Sequence, residues 1–164
     1  MPTRDAVLQF QRYRSAGVIV DSNLLLLFII GSFDEQLIST FKRTKTYTGS
    51  DYRILSEFLS AFSEILVTPN ILTEVSNLSN QLPESYKPDY FTQFGEHIGR
   101  MQEHFHSSNS LRTHDSFVKF GLADASIHEC AEHGRLVLTD DARLADFLGR
   151  RGIDVLNFNH IRQL

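Results

Sequence analysis

Acidic residues that follow or flank apolar segments are the side chains of this sequence best suited to chemistry. Asp21 follows Val-Ile-Val, Asp140 and Asp141 follow Leu-Val-Leu-Thr, and Glu74 and Asp124 stand within apolar helical patterns. Carboxylates gathered in one place resist ionising together, so a fold that collects them needs a cation. Oxygen ligands without cysteine or paired histidines favour Mg²⁺ or Mn²⁺, which commonly serve phosphodiester hydrolysis.

Each of these acids also has a purely structural interpretation. Asp124 and Asp140 are placed like residues that begin a helix, where unpaired N–H groups and the helix dipole favour aspartate. Glu74 alone suits a solvated helix surface, although the helical period places it beside the apolar arc of Ile71. Asp124 shares a face with Ile127, so its carboxylate is expected to point towards the sheet. A functional site is favoured if these acids meet at one edge of the sheet, as their positions after strands and in helices predict.

The apolar pattern predicts alternating strands and helices. Val18–Val20 and Ile65–Val67 lack polar alternation, which is typical of strands buried on both faces. Thr68 suits a helix N-cap followed by Pro69, and Gly31 is expected to close a buried helix. Further predicted elements are helices at 24–30, 52–64, 123–133 and 142–151 and strands at 135–138 and 153–156. This alternation predicts an α/β fold whose central parallel sheet binds ligands at the carboxyl ends of its strands.

Length and composition indicate a single globular domain spanning residues 1–164. The formal charge of −4 excludes a strongly basic field that would attract nucleic acid from all sides. Cys130 is the only cysteine, which excludes an intrachain disulfide and suits a reducing compartment. The first residues lack the continuous apolar region of a secretion signal, so we expect none there, and the apolar segment around Asp21 is too short for a membrane span. We therefore expect a cytoplasmic protein without a membrane segment.

Four segments carry the predicted chemistry, and they are VIVDSNLLL at 18–26, TPNILTEVSNL at 68–78, GLADASIHECA at 121–131 and LVLTDDARLADF at 136–147. In this order they resemble the PIN domain family of metal-dependent ribonucleases. The most similar members are the toxin ribonucleases of bacterial toxin–antitoxin pairs. The resemblance implies a three-layer sandwich with a central parallel sheet flanked by helices, and a Mg²⁺- or Mn²⁺-dependent endoribonuclease that cleaves RNA. It also implies an antitoxin protein as a partner.

The resemblance assigns roles to individual residues. The positions that it implies for metal binding and catalysis are Asp21, Glu74, Asp124 and Asp141. The positions that it places beside them as supporting residues are Ser22, Asn23, Thr139 and Asp140. The ion held by the four acids would lower the pKa of a bound water and neutralise charge on the phosphate.

The adjacent acids Asp140 and Asp141 are predicted to have different roles, one structural and one in metal binding. We expect Asp140 to cap the following helix through the N–H groups of Ala142 or Arg143. Asp141 stands two residues beyond Thr139 and matches the threonine-x-aspartate of the resembled family. It is therefore the acid predicted to face the metal.

Two stretches depart from compact toxin members of that family. Residues 1–16 form an N-terminal extension, and residues 31–66 form an enlarged helical and loop insertion. Lys42, Arg43 and Lys45 lie in this insertion between two aromatic residues, and we call these three cations the basic loop. They suit contacts with RNA phosphates, while a solvated loop is the alternative interpretation.

Other interpretations stay open at this stage. A PIN-like fold could act as a catalytically silent binding or regulatory module. A phosphohydrolase of the haloacid dehalogenase type needs a second aspartate two residues after the first, where this chain has Asn23. An apolar stripe from Phe91 to Phe105 is predicted on one helix, as core or as a homodimer surface. His97, His104 and His106 lack the helical spacing of a metal site.

Overall fold

Five short strands form one sheet in which all neighbouring strands are parallel. The computed structural model describes residues 4–164, and its strands are β1 (Val18–Val20), β2 (Ile65–Val67), β3 (Gln102–Glu103), β4 (Leu136–Thr139) and β5 (Val155–Asn157). Their order across the sheet is β3-β2-β1-β4-β5. Val18 pairs with Leu136 and Val20 with Leu138, so the residues that follow β1 and β4 leave the sheet side by side.

Helices cover both faces of this sheet. Within residues 4–164 they are α1 (Arg4–Tyr13), α2 (Ser22–Phe33), α3 (Leu37–Thr40), α4 (Gly49–Ser60), α5 (Pro69–Ser79), α6 (Lys87–Arg100), α7 (Ser108–Leu111), α8 (Asp115–Phe120), α9 (Leu122–Ala131), α10 (Ala142–Gly149) and α11 (Phe158–Ile161). Every residue of β1 and β4 is buried. Because successive strand side chains point to opposite faces, both faces must be covered. The predicted three-layer α/β sandwich is confirmed.

Local signals predicted most of these elements correctly. The hydroxyl of Thr68 accepts a hydrogen bond from the N–H of Ile71 at 3.2 Å, and Pro69 is the first residue of α5. Gly134 and Gly152 have φ angles of +77° and +76°, which glycine adopts without steric cost, and each precedes a strand. The two helices and two strands predicted for the final third lie within two residues of their expected bounds, whereas the short helices α8 and α11 were not predicted.

Gly31 does not close the first buried helix as expected. Helix α2 continues to Phe33 and passes through Gly31, which is buried against the ring of Tyr52 on α4. A Cβ atom at this position would lie 2.3 Å from Cδ2 of Tyr52. The glycine is thus required by close helix packing rather than by a turn, and sequence alone does not separate these two uses.

The apolar stripe from Phe91 to Phe105 is only partly helical. Helix α6 ends at Arg100, and the chain then pairs with β2 as strand β3. Phe94 is buried in the core, whereas Phe105 lies beyond β3 and is 77% exposed. The helical part of the stripe therefore packs mainly inside the domain, and Phe105 does not belong to it.

The two segments predicted as departures from compact family members join the fold at defined places. In the 1–16 extension, residues 1–3 lie outside the described part, and α1 ends at the buried Tyr13, whose hydroxyl donates to Asp154. The 31–66 segment contains the end of α2, helices α3 and α4, and most of β2. Of the helices within residues 4–164, none has the length and apolar character needed to cross a membrane.

Candidate metal centre

The candidate site lies where β1 and β4 end at the carboxyl edge of the sheet. Asp21 follows β1 directly, and its backbone N–H donates to the carbonyl of Leu138 at 3.1 Å. This bond continues the β1–β4 pairing by one residue and places Asp21 beside Thr139. The predicted convergence of the first and last acidic motifs is therefore built by the strand register.

Three donors, from α2 and from the end of β4, bind the carboxylate of Asp21. Its carboxylate is 5% exposed, and Oδ1 accepts the N–H of Leu24 at 3.0 Å, which caps α2. Its Oδ2 accepts the hydroxyl of Thr139 and the N–H of Asp140, the latter at 3.2 Å. Both carboxylate oxygens thus have fixed directions before any ligand binds.

The environment of Asp21 opposes its negative charge. Burial raises the pKa of Asp21 above its ordinary value, and the nearby charge of Asp140 raises it further. Hydrogen bonds from Thr139 and from two backbone N–H groups act in the opposite direction, but burial prevails. A cation at this edge would favour the ionised form.

A second acidic group surrounds Asp124. Asp124 lies in the first turn of α9, and its pKa is raised to about 7 by burial and then by the charges of Glu74 and Asp141. Glu74 projects from α5 and is exposed, and Asp141 is exposed after β4. The structure therefore brings Glu74 and Asp141 close enough to Asp124 to raise its pKa, although the three acids come from separate motifs.

A buried pair of hydroxyls fixes α5 against α9. The side chain of Thr68, which caps α5, lies 2.7 Å from the hydroxyl of Ser126 on α9. Ser126 also donates to the carbonyl of Ala123 at 2.6 Å. This contact sets the position of the helix that carries Glu74 relative to the helix that carries Asp124.

The capping roles predicted for the adjacent aspartates are wrong. Asp141, not Asp140, caps α10: its Oδ1 accepts the N–H groups of Arg143 at 2.8 Å and Leu144 at 3.2 Å. The N–H of Asp141 itself donates to the hydroxyl of Thr139 at 3.0 Å. Since the cap uses only Oδ1, the second oxygen of Asp141 is not engaged by it. Asp141 therefore combines a structural role with its place beside Asp124.

Asp140 instead contacts the insertion formed by residues 31–66. Its partner there is Tyr47, a contact that the sequence analysis did not predict. The hydroxyl of the buried Tyr47 donates to Oδ2 of Asp140, and Asn159 donates to the Asp140 carbonyl at 2.8 Å. Burial, then the hydrogen bond to Asp140, raises the pKa of Tyr47, so the phenol stays protonated as a donor. Tyr47 and Asp140 are 93 positions apart, and no local signal connects them.

The remaining predicted residues lie around this edge with different exposures. Ser22 is buried at the start of α2, while Asn23 is exposed in the same turn. All three cations of the basic loop are exposed, and Arg43 donates through Nε to Gln81 at 2.8 Å. Tyr47 connects the end of this loop to Asp140, so the loop borders the acidic edge.

The carboxylate oxygens at this edge are of the type that binds a hard divalent cation. Their spacing, however, is wider than that of a formed metal site. Within residues 4–164, no lysine, arginine or histidine nitrogen lies within 4.0 Å of the acids at this edge. Uncompensated carboxylate oxygens are the ligands that Mg²⁺ and Mn²⁺ prefer. In the same range, however, the acids do not bring three ligand atoms within 4.8 Å of one another. Water ligands and small side-chain movements would have to complete the coordination.

Fold and site together define an α/β domain with an acidic centre at the carboxyl edge of a parallel sheet. A scan against models of known protein families finds no match, and a search of curated proteins finds none either. The assignment of a function therefore depends on the site itself and on the resemblance of its motifs.

Proposed function

We propose that this protein is a Mg²⁺- or Mn²⁺-dependent endoribonuclease of the PIN type. The observation that carries the proposal is that Glu74 and Asp141 lie near the half-buried Asp124 while Asp21 is buried at the end of the neighbouring strand, and within residues 4–164 no basic side chain pairs with these acids. Such an edge is costly to ionise without a cation, as the raised pKa values of Asp21 and Asp124 indicate.

The side chains divide the work of holding an ion and a substrate. Asp21 is preoriented by the Thr139 hydroxyl and two backbone N–H groups, so it offers a fixed carboxylate. Asp124 and the free oxygen of Asp141 approach from α9 and from the start of α10, and Glu74 approaches from α5. When bound, a divalent cation would activate water and offset the charge that develops on the phosphate.

A cleft beside the acids suits a single-stranded substrate. It has a volume of about 580 Å³ and is lined by residues that include Glu74, Asn70, Asn77, Phe105 and Phe120. The Phe105 ring is 77% exposed, which makes it available for stacking on a base. Asn70 and Asn77 offer amides that can hydrogen bond to base edges. Stacking and polar contacts next to the acids support a single-stranded nucleic acid as the substrate, and the motif resemblance is what favours RNA.

The basic loop provides phosphate contacts at the other side of the acids. Its three cations are exposed, and Tyr47 ties the end of the loop to Asp140. An acidic centre repels a polyanion unless cations lie nearby, so this loop is the group that we assign to substrate affinity. The toxin role, an antitoxin partner, a cytoplasmic location and a homodimer extend the same proposal and rest on the motif resemblance alone.

A catalytically silent binding or regulatory module is the second candidate. The observation that favours it is the spacing of the acids, which do not close to within 4.8 Å as a set of three within residues 4–164. The haloacid dehalogenase alternative is disfavoured, because the position that needs a second aspartate is the exposed Asn23.

Cleavage of a fluorescent single-stranded RNA by metal-free protein tests the proposal against the module. We expect cleavage after addition of Mn²⁺ or Mg²⁺, its loss with EDTA, and its loss in Asp124→Asn. Asp146→Asn is the matched control, since Asp146 is exposed on α10 and forms an ion pair with Arg150 at 3.0 Å, away from the acidic edge. Inactivity of the wild type with both ions across RNAs of varied sequence would favour the silent module.

A further inference from the structure

A second cluster of ligand-type side chains lies far from the acidic edge. It lines a cleft of about 730 Å³ formed partly by Arg135, Gly152 and Asp154, which precede β4 and β5. Since these residues stand before their strands, the cleft is at the amino edge of the sheet, opposite the candidate centre. His114, His128 and Glu132 all line this cleft.

The three side chains are close enough to share one ion. One ligand atom from each lies within 4.8 Å of the other two, and within residues 4–164 no other set of histidine, cysteine or acidic side chains does so. Nε2 of His128 is 3.4 Å from Oε1 of Glu132, one helical turn further along α9. Two ligands each about 2.1 Å from a tetrahedral ion are separated by about 3.4 Å, so this pair already has the required spacing.

The two ring nitrogens of the buried His128 have different partners. Its Nδ1 lies 2.8 Å from the hydroxyl of Ser116, which leaves Nε2 directed towards Glu132. A metal ion binds a deprotonated ring nitrogen, and this arrangement leaves one nitrogen of His128 directed at the carboxylate with which it would share the ion.

His114 joins the cluster from a different element. It precedes α8 as its N-cap residue, and its ring centroid is 4.7 Å from that of His128. Glu129 contacts Nε2 of His114, and such a carboxylate partner commonly orients a metal-binding imidazole. The cluster thus contains two imidazoles, one ligand carboxylate and one orienting carboxylate.

We propose that His114, His128 and Glu132 form a zinc site that fastens the start of α8 to the end of α9. Two nitrogen ligands and one carboxylate suit Zn²⁺ and not Mg²⁺, and the cleft leaves the fourth position to water. The site is independent of the proposed nuclease activity, because it shares no residue with the acidic edge. The competing explanation is two proton-linked histidine–glutamate pairs that bind no metal.

Calorimetric titration of tag-free, metal-free protein with Zn²⁺ distinguishes the two explanations. We expect one Zn²⁺ per chain at this site and a higher melting temperature when it is bound. Glu132→Gln should weaken binding by at least about 10–100-fold, which is what the loss of an outer-shell partner costs, since it removes a charged ligand itself. The Glu132 side chain is 48% exposed, so this substitution should leave the metal-free fold intact. Glu57→Gln, at an exposed position of α4, is the matched control.

Two further variants show whether the bound Zn²⁺ occupies this cluster or the acidic edge. His114→Gln should also weaken Zn²⁺ binding, whereas Asp124→Asn should leave it unchanged, because Asp124 belongs to the other edge. Absence of Zn²⁺ binding, or binding that Glu132→Gln and His114→Gln leave unaltered, would overturn the proposal. Zn²⁺ binding that disappears in Asp124→Asn would also overturn it, since the ion would then occupy the acidic edge.

Discussion

Substitutions of Asp140 and Asp141 can separate the contribution of helix capping to stability from the contribution of each carboxylate to RNA cleavage. Both capping bonds of α10 end on Oδ1 of Asp141, at 2.8 Å from the nitrogen of Arg143 and 3.2 Å from that of Leu144. Replacing an N-cap aspartate by alanine costs about 1 kcal/mol. In a domain of this size, that cost lowers the melting temperature by roughly 2–4 °C. We expect Asp141→Ala to show this decrease in differential scanning fluorimetry.

Asp141→Asn should behave differently, because asparagine keeps an oxygen acceptor for the cap and loses only the charge. We expect a nearly unchanged melting temperature and a loss of Mn²⁺-dependent RNA cleavage by about 100-fold or more. Asp140→Asn preserves an acceptor for Tyr47 and removes the charge that raises the pKa of Asp21. It should retain most of the cleavage activity.

If Asp141→Ala melts at the wild-type temperature, the capping bonds contribute nothing to stability. If Asp141→Asn cleaves RNA at the wild-type rate, Asp141 does not belong to the metal centre. Both quantities are measured on the same protein samples, so a folding defect cannot be mistaken for a loss of chemistry.

Three other perturbations examine the charge of the site, the packing of α2 and the substrate surface. The folded-state pKa of Asp124, about 7, exceeds its ordinary 3.8, so the stability that its neutral form contributes is lost as the pH rises through 7. Metal-free protein should melt lower at about pH 8 than at about pH 6.5, and an equal pH dependence in Asp124→Asn would contradict this. Gly31→Ala places a Cβ atom 2.3 Å from the ring of Tyr52 and should destabilise by about 1–3 kcal/mol in urea unfolding, whereas unchanged stability would show that the ring moves freely. Alanine at all three positions of the basic loop should reduce the salt slope of RNA binding by about 2, and an identical slope would make it a solvated loop.

Hydrophobic patterning predicts the central part of this fold well. Val18–Val20 and Ile65–Val67 are apolar throughout because both sides of these strands are covered, and this leaves a clear signal in the sequence. Thr68 and Pro69 likewise mark the start of α5 through local chemistry. Strand β3 has no such signal, because Gln102–Glu103 is polar, exposed and only two residues long.

The errors at the site have a different cause. Asp140 and Asp141 occupy one strand-to-helix turn, and either could cap α10 until the path of the backbone is known. That path is fixed by the hydroxyl of Thr139, which joins Asp21 to the N–H of Asp141. Tyr47 could be recognised as a candidate loop aromatic, but its contact with Asp140 depends on tertiary packing across the insertion.

Anomalous diffraction from crystals soaked in Mn²⁺ can locate the metal that we propose for the acidic edge. We expect an anomalous peak at the carboxyl edge of the sheet, about 2.0–2.3 Å from oxygens of Asp21, Asp124 or Asp141. The peak should be absent at the same Mn²⁺ concentration in Asp124→Asn crystals. A map without a peak among these carboxylates, or with Mn²⁺ bound only elsewhere, would contradict a metal-dependent nuclease centre at this edge.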